Sequence, residues 1–462
     1  MSVTQERETG QAAVLDVADL TPPCVVMEID VAEGIPEVVT SSGVEPARCA
    51  WILVRMHTKP LGIVMMTIPR SGLRRDQLVA GITESLGSEI RKGAEEVGAT
   101  WPAGAEGKPL CGTREPPFLI TRRRVIARAP AVTVVVCTRE RPTSLERCLQ
   151  SLARQEYPSF SILVVDNAPL TDESRQVATR FRSRTVGLRY VVEPKVGLAW
   201  ARNHAMQITD DELLAWIDDD EIADRFWLIE LVRGFYEHPG SGAVSGIMLP
   251  AELKTQAQVR FEQYGGFHKH RGFTPAEFSA QTASLQSPLF PLPPFGAGGN
   301  MAFRRDALRD INGFDAALGA GTASLAAEDT KALTDLLLSG WSVVYQPSAL
   351  THHFHRDTHS QLRRQMLGYG AGLTAFYTSL LLSEPSRTSG LIRLSPAFLR
   401  EAVAPGSLRS GDLPRDFPSD LRWANRRGLI EGPVRYLVAK IVARQQGRRE
   451  LLGGGPARTE RS

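Results

Sequence analysis

Val132-Thr133-Val134-Val135-Val136-Cys137, followed at once by Thr138-Arg139-Glu140, is the stretch from which the fold is read. An unbroken β-branched and apolar run predicts a strand buried on both faces, as in parallel sheets covered by helices. Working outward, residues 145–155 have helical spacing and residues 160–165 form a second buried run. Helical spacing returns at 173–182 and 198–206, with further strand-like runs at 188–192 and 213–217. This βαβαβαβ order predicts an α/β fold, a mainly parallel sheet flanked by helices with right-handed crossovers. Ligands of such sheets sit at the carboxyl ends of the strands. The polar residues gather there: Thr138-Arg139-Glu140, Asp166-Asn167 and Asp218-Asp219-Asp220-Glu221. No GxGxxG or GxxxxGK[ST] follows any of these runs, so the ligand is not held by a dinucleotide or Walker glycine loop.

The regions on either side read differently. Residues 1–127 contain strand-like runs at 51–55 and 61–68 around the turn-prone His57-Thr58-Lys59-Pro60, then an amphipathic helix near 77–96. They are expected to form a small α/β accessory domain that ends in a Gly- and Pro-rich linker, 104–117. The basic run Arg122-Arg123-Arg124 reads as an anion or membrane-surface patch, or as a solvated stretch before a strand. Residues 128–359 are expected to be the catalytic domain, 360–440 a helical region and 441–462 a disordered tail. Arg363, Arg364, Arg422, Arg426 and Arg427 of the helical region suit either a cover for the site or contact with an anionic membrane surface.

Composition narrows the function. Of the 462 residues 42% are apolar and 23% charged, the profile of a globular protein. Fifty-four Lys and Arg against 51 Asp and Glu give a net charge of only +3, which argues against a nucleic-acid binder. The five cysteines include no CxxC pair, which fits a reducing cytoplasm better than a disulfide scaffold or structural zinc. Residues 1–16 carry acids and no apolar run, unlike a secretory signal. The uncharged stretch 278–303 is broken by four prolines, and 366–383 holds three glycines and several hydroxyls. Neither reads as a spanning helix; the second reads as a buried helix or one lying in a membrane interface.

Four constellations carry chemistry. Three adjacent carboxylates after an apolar strand, Asp218 to Asp220, repel one another, and a hard divalent cation such as Mg or Mn relieves that repulsion. The bland alternative is an acidic turn at a helix start. Glu328 and Asp329 open a helix after the small-residue stretch 319–324, suited to a general base at a helix start or to simple dipole capping. His352, His353, His355 and His359 crowd together with Asp357 after a strand at 342–346, as metal ligands or as a polar loop. Gly296-Ala297-Gly298-Gly299-Asn300 permits close backbone approach to a ligand or a plain turn.

Taken in series, VVVCTRERP, VVDNAP, EPKVGLAWARN, WIDDDE, GAGGNMAFRR, NGFD, AAEDT and YQPSALTHHFH resemble glycosyltransferase family 2 with its GT-A fold. The resemblance covers roughly half the chain and leaves out the N-terminal region and most of the C-terminal one. It implies inverting transfer of a sugar from a nucleotide-diphosphate sugar to an acceptor hydroxyl. By position it implies donor contacts from Thr138, Arg139, Glu140, Asp166, Lys195, Arg202, Asp218 and Asp219, with Asp166 beside the base. It assigns Mn or Mg to Asp218 and Asp220 completed by His353 or His355, the base to Asp329 and acceptor orientation to Glu328. Gly298, Gly299 and Asn300 are expected on the acceptor side. The acceptor class left open is a glycan, a glycolipid or a secondary metabolite, with cytoplasmic action at the inner membrane face.

Two other functions compete. His353-x-His355-x-Asp357 is similar to the HxHxDH signature of metallo-β-lactamase-type hydrolases, although Thr358 replaces the last histidine. A metal-dependent hydrolase built there leaves the three aspartates idle. A non-catalytic nucleotide-sugar binder has no use for Asp329.

Overall fold

The computed structural model describes residues 12–40, 46–101, 109–110, 112–182, 187–268, 271–279, 296–383 and 413–453. The N-terminal region holds β1 (Cys24–Asp30), β2 (Val38–Val39), β3 (Cys49–Met56), β4 (Lys59–Thr67), β5 (Leu73–Arg74) and the helix α1 (Arg75–Val97). β3 lies at the centre of a three-stranded sheet, parallel to β1 and antiparallel to β4, while β2 and β5 form a separate ribbon. His57 and Thr58 turn β3 into β4 with φ of 50° and 74°, the left-handed pair whose twist suits a tight hairpin. β3 is buried along its whole length because it has two covers. Ala50, Ile52 and Val54 pack under α1 with Leu78 and Ile82, while Cys49, Trp51 and Leu53 pack with Leu249 and Leu253 of the large sheet's layer.

The helix α2 (Pro117–Arg128) follows. The Arg122-Arg123-Arg124 run therefore lies within a helix rather than in a stretch before a strand. Arg122 is buried, donates to Glu230 Oε1 at 2.7 Å, and stacks 4.0 Å from the Phe226 ring centroid. Arg122 thus ties this helix to the one at Trp227–Glu237.

The large unit runs β6 (Val132–Thr138), α3 (Pro142–Leu152), β7 (Phe160–Asn167), α4 (Glu173–Arg182), β8 (Leu188–Glu193), α5 (Leu198–Ile208), β9 (Leu213–Asp218) and β10 (Glu221–Ala223). It continues with α6 (Trp227–Glu237), β11 (Ser241–Pro250), α7 (Gln256–Gln263), β12 (Ala276–Phe278), β13 (Asn300–Arg304), α8 (Arg305–Asp310), α9 (Glu328–Leu338) and β14 (Ser342–His353). The sheet order is β10-β14-β11-β13-β9-β6-β7-β8, with β12 added alongside β14. The half β8-β7-β6-β9 is parallel throughout, as the apolar runs require. β13 enters antiparallel between β9 and β11, so the Gly298-Gly299 turn before it arrives beside the end of β9.

β14 differs from expectation. The strand does not stop at Gln346 but continues through His353. Pairing with β11 jumps from Ser245–Tyr345 to Ile247–Leu350, and Pro347 sits in that irregularity, where its missing N–H costs no ladder bond. The first histidines are thus strand residues with alternating directions, not loop residues.

The last two helices are α10 (His359–Ser383) and α11 (Ser419–Gly453). They run in the same direction in near-backbone contact: a Cβ on Gly370 would overlap Asn425 O, and one on Gly428 would overlap Leu367 O. α11 extends through Gly453, so the expected tail from 441 begins as helix; residues 454–462 lie outside the described residues. Among the described residues no helix is long and apolar enough to cross a membrane, and no disulfide forms.

Candidate active site

β9 delivers Asp218 at its carboxyl end, and the turn to β10 carries Asp219 and Asp220. Thr138 at the end of β6 donates to Asp219 Oδ2 at 2.7 Å. Arg141, just beyond, donates to Asp219 Oδ1 at 3.1 Å and Asp220 Oδ2 at 3.0 Å, and Arg356 lies 3.5 Å from Asp220 Oδ2. Burial and then Asp220 push the Asp219 carboxyl up to about 7. Burial works on Asp220 too, but His353, Arg141 and Arg356 outweigh it and hold that carboxyl well below the usual range. Next in line, neither oxygen of Glu221 meets a hydrogen-bond partner at full geometry. Burial and Asp218 push Glu221 well above its ordinary value, against a pull from Thr351.

The histidine cluster disperses in four directions. His352 faces Glu28 of the N-terminal sheet at 3.0 Å, and His359 pairs with Asp420 at 2.7 Å. His353, one strand position on, turns Nε2 toward Asp220 Oδ1 at 3.3 Å. His355 places Nε2 2.8 Å from Glu262 Oε1 and Nδ1 3.0 Å from His353 Nδ1. Both nitrogens of His355 therefore have neighbours, Glu262 and His353, whereas Nε2 of His353 faces Asp220. Asp357 is exposed. This scatter removes the ligand set that the hydrolase reading requires.

The same geometry bears on the metal. Burial holds His355 below the ordinary histidine range despite Glu262. Burial tends to lift Glu262, but His268 and His355 outweigh it and hold that carboxyl down at about 2. His355, between Glu262 and His353, leaves Nε2 of His353 as the nitrogen turned toward Asp220 Oδ1. An imidazole nitrogen facing a carboxylate oxygen is a pair that a cation can bridge. Among the described residues no three His, Cys, Asp or Glu side chains already stand as an assembled metal cluster. The fit rests on the facing acceptors of Asp220 and His353 and on the acid excess around them.

Gly298 and Gly299 separate two acidic groups. A Cβ on Gly299 would overlap Glu221 and lie 2.8 Å from Asp218 Oδ2; one on Gly298 would lie 2.7 Å from Asp329 Oδ2. The absence of side chains lets Asp329 approach the turn at Gly298 and Asp218 approach it at Gly299. Asp329 is half-buried, and its Oδ1 accepts from Thr330 N at 2.7 Å. Glu328 is buried against Arg202 Nη1 at 2.9 Å. Arg202 is itself buried and also donates to Gly298 O at 2.9 Å, with Asp218 at 3.7 Å. Glu328, Asp218 and Asp329 press Arg202 upward, yet burial and Asp329 push Glu328 up to about 7. One guanidinium cannot neutralise three carboxylates, and Glu328 carries the excess. Ala327 precedes the pair at φ 81°, and Leu325 at φ 71°, left-handed conformations that cost a residue with a Cβ on the order of 1 kcal/mol each.

The other expected positions separate into two groups. Asp166 is fully buried at the end of β7; Oδ2 accepts from Tyr190 at 2.7 Å and Oδ1 has no hydrogen-bond partner. Burial pushes its carboxyl upward. Glu140, at φ 54°, accepts from Leu170 N at 2.9 Å, Lys195 Nζ lies 4.1 Å from the Trp200 ring, and Arg139 is exposed. Arg202 is a bridge beneath the glycine turn rather than a surface group. Asn300 corrects the acceptor assignment: its Nδ2 donates to Ile247 O and Ala349 O and its Oδ1 accepts from Trp227, all inside the core. Sequence reading missed Arg141 and Arg356, and gave Arg364 as a cover for the site or a membrane contact; with Gln361 and Gln365 these three line an open cavity of about 390 Å³ beside Asp220. It also missed Glu262. Helical spacing between Gln361, Arg364 and Gln365 was the available signal for the cavity; nothing local marks Glu262.

An α/β sheet with acids and arginines gathered at its carboxyl ends is the architecture of an enzyme acting on a small charged ligand. Residues 133–311 match the family model Glycosyl transferase family 2. The chain carries a glycosyltransferase family 2 domain and is a glycosyltransferase. It is 24% identical over 227 residues to glucosyl-dolichyl phosphate glucuronosyltransferase of Haloferax volcanii, covering 48% of this chain and 68% of that one. It is 28% identical over 92 residues to amylovoran biosynthesis glycosyltransferase AmsE of Erwinia amylovora, covering 20% of this chain but only 35% of the relative. Among solved structures, the mannosyltransferase of Pyrobaculum calidifontis in complex with GDP-Man and Mn2+ aligns at 18% identity and a TM-score of 0.40, over 74% of this chain and 84% of that one.

Proposed function

We propose that the enzyme transfers a sugar from a nucleotide-diphosphate sugar to an acceptor hydroxyl with inversion, aided by Mn or Mg. The observation that carries this reading is that two neighbouring bare positions of one turn each face a different acid, Gly298 facing Asp329 and Gly299 facing Asp218. A reacting sugar lying over that turn would meet a base at one residue and the leaving-group end at the next.

In this reading Asp329 takes the proton of the acceptor hydroxyl. Glu328 stays on Arg202 and holds the helix start, so it is not placed to form a covalent intermediate. One base and one departure make a single displacement, which inverts the anomeric carbon. Asp218, Asp220 and His353 would hold the divalent cation, which supplies counter-charge to the departing diphosphate. Arg141, Arg356 and Arg364 line the adjoining cavity with matching positive charge. Asp166 Oδ1 offers a buried acceptor to the nucleobase, with Thr138, Glu140 and Lys195 around it. Residues 1–127 act as an accessory unit. A glycolipid or glycan acceptor is the one to test first, supported by relatives named for glucosyl-dolichyl phosphate and for amylovoran biosynthesis.

The deciding experiment measures thermal stability against uridine, guanosine, adenosine and thymidine diphosphates, each with and without Mn. A shift with one nucleotide that depends on Mn and is lost in Asp220→Asn supports the reading, because a ligand that binds only the native state raises stability. Stabilisation by zinc alone with no nucleotide effect overturns it.

A further inference from the structure

The helix α11 has two apolar faces, and only one has a partner. Its inner face, with Leu421, Gly428, Gly432, Tyr436 and Ala439, is buried against α10 and the site-bearing unit. Its outer face carries Trp423, Ile430, Val434, Leu437 and Ile441. Their spacings of seven, four, three and four residues keep them on one stripe. Trp423 is 66% exposed, Ile430 77% and Val434 66%. The stripe is about 27 Å long at 1.5 Å per residue. A helix apolar on both faces is ordinarily covered on both.

The charges beside the stripe identify the cover. On the helical wheel Arg422, Arg426, Lys440 and Arg444 lie along one flank and Arg427 along the other. The acids of α11 whose side chains are described are already paired: Glu431 with Arg427 and Arg435, Asp420 with His359. A second copy seated on this face would set arginine flanks against each other. Arg427 is held by Glu431, so the excess positive charge lies along the flank of Arg422, Arg426, Lys440 and Arg444. An apolar ridge bordered by such a basic flank suits the surface of an anionic bilayer, with the ridge among the acyl chains and the cationic groups at the phosphates.

We propose that α11 lies in the plane of an anionic lipid membrane, its Trp423–Ile441 stripe inserted and its basic flank on the headgroups. This anchoring is independent of the sugar and the nucleotide, since none of these residues belongs to the site. The full chain is tested by cosedimentation with vesicles of phosphatidylcholine, and of equal phosphatidylcholine and phosphatidylglycerol. Two variants are compared: I430Q/V434Q/I441Q, which removes the ridge, and R422E/R426E/R444E, which reverses one flank. The expected result is binding to the anionic vesicles, weaker by roughly ten-fold or more in each variant, with unchanged melting temperatures and a monomer in sedimentation velocity. If the ridge variant does not fold, the flank variant alone carries the test. The proposal is overturned if the native chain binds neither vesicle. It is also overturned if both variants bind as tightly as the native chain, or if a dimer forms that the ridge variant dissolves.

Discussion

Asp219 and Asp220 meet arginines that come from other elements, Arg141 after β6 and Arg356 after β14, whereas Glu328, next to Asp329, shares one buried guanidinium with Asp218. The first turn is held from outside by cations that also line an open cavity. The second is held from beneath, by Arg202 under the glycine turn. Cations on the solvent side can exchange an aspartate for a ligand phosphate; a cation sealed below can only fix geometry. The pair therefore divides the labour: one turn is built for an anion that comes and goes, the other for a carboxylate that must stay in place.

The sharpest way to break this comparison is Asp329→Asn. We expect turnover to fall about 10²- to 10⁴-fold with nucleotide affinity retained; steady-state kinetics beside calorimetric binding of the donor would show unchanged turnover if the division is wrong. Next comes Arg202→Met, which strands Glu328 inside the protein and is expected to cost about 3–5 kcal/mol of stability. Denaturant midpoints of the two proteins measure it, and an Arg141→Met variant, with a partly exposed guanidinium, should lose much less. Glu262→Gln tests the support under His353. It is expected to weaken Mn binding roughly 10- to 100-fold, read by electron paramagnetic resonance without any turnover assay, while nucleotide binding in the absence of metal stays constant. The last test is in pH. Because the folded-state Glu328 is pushed up to about 7, the folded protein holds this proton longer than the unfolded chain. Stability from this group is fully present below the ordinary glutamate range and is lost as pH rises through about 7, by up to about 3 kcal/mol. Glu328→Gln should flatten that slope in thermal melts taken from pH 5 to 8.

The parallel half of the sheet was legible because each strand is covered on both faces and so reads as one apolar run, Val132 to Cys137 above all. β11 and β13 were not legible, since Ser241–Pro250 contains two interior glycines and Asn300–Arg304 is only five residues long. The end of β14 was misread because Pro347 looks like a stop, and only pairing with β11 shows it to be a bulge. Asp218, Asp220 and Asp329 are visible as local acid clusters. Asn300 is not separable from a ligand group by sequence, because its polar partners are carbonyls of β11 and β14 brought in by the fold. The arginines of the cavity come from two segments more than two hundred residues apart, Arg141 on one and Arg356 and Arg364 on the other, and no window of sequence unites them.

The step from His352 to His353 has one more consequence. A strand sends neighbours to opposite faces, so His352 reaches Glu28 while His353 reaches Asp220. Arg55 adds a second tie, 2.9 Å from Asp224 just after β10. The N-terminal sheet thus forms the rear wall of the strand whose front wall is the site. Such a unit belongs to the enzyme's frame and is not a detachable attachment: a chain without residues 1–127 would leave Asp224 without Arg55 and His352 without Glu28.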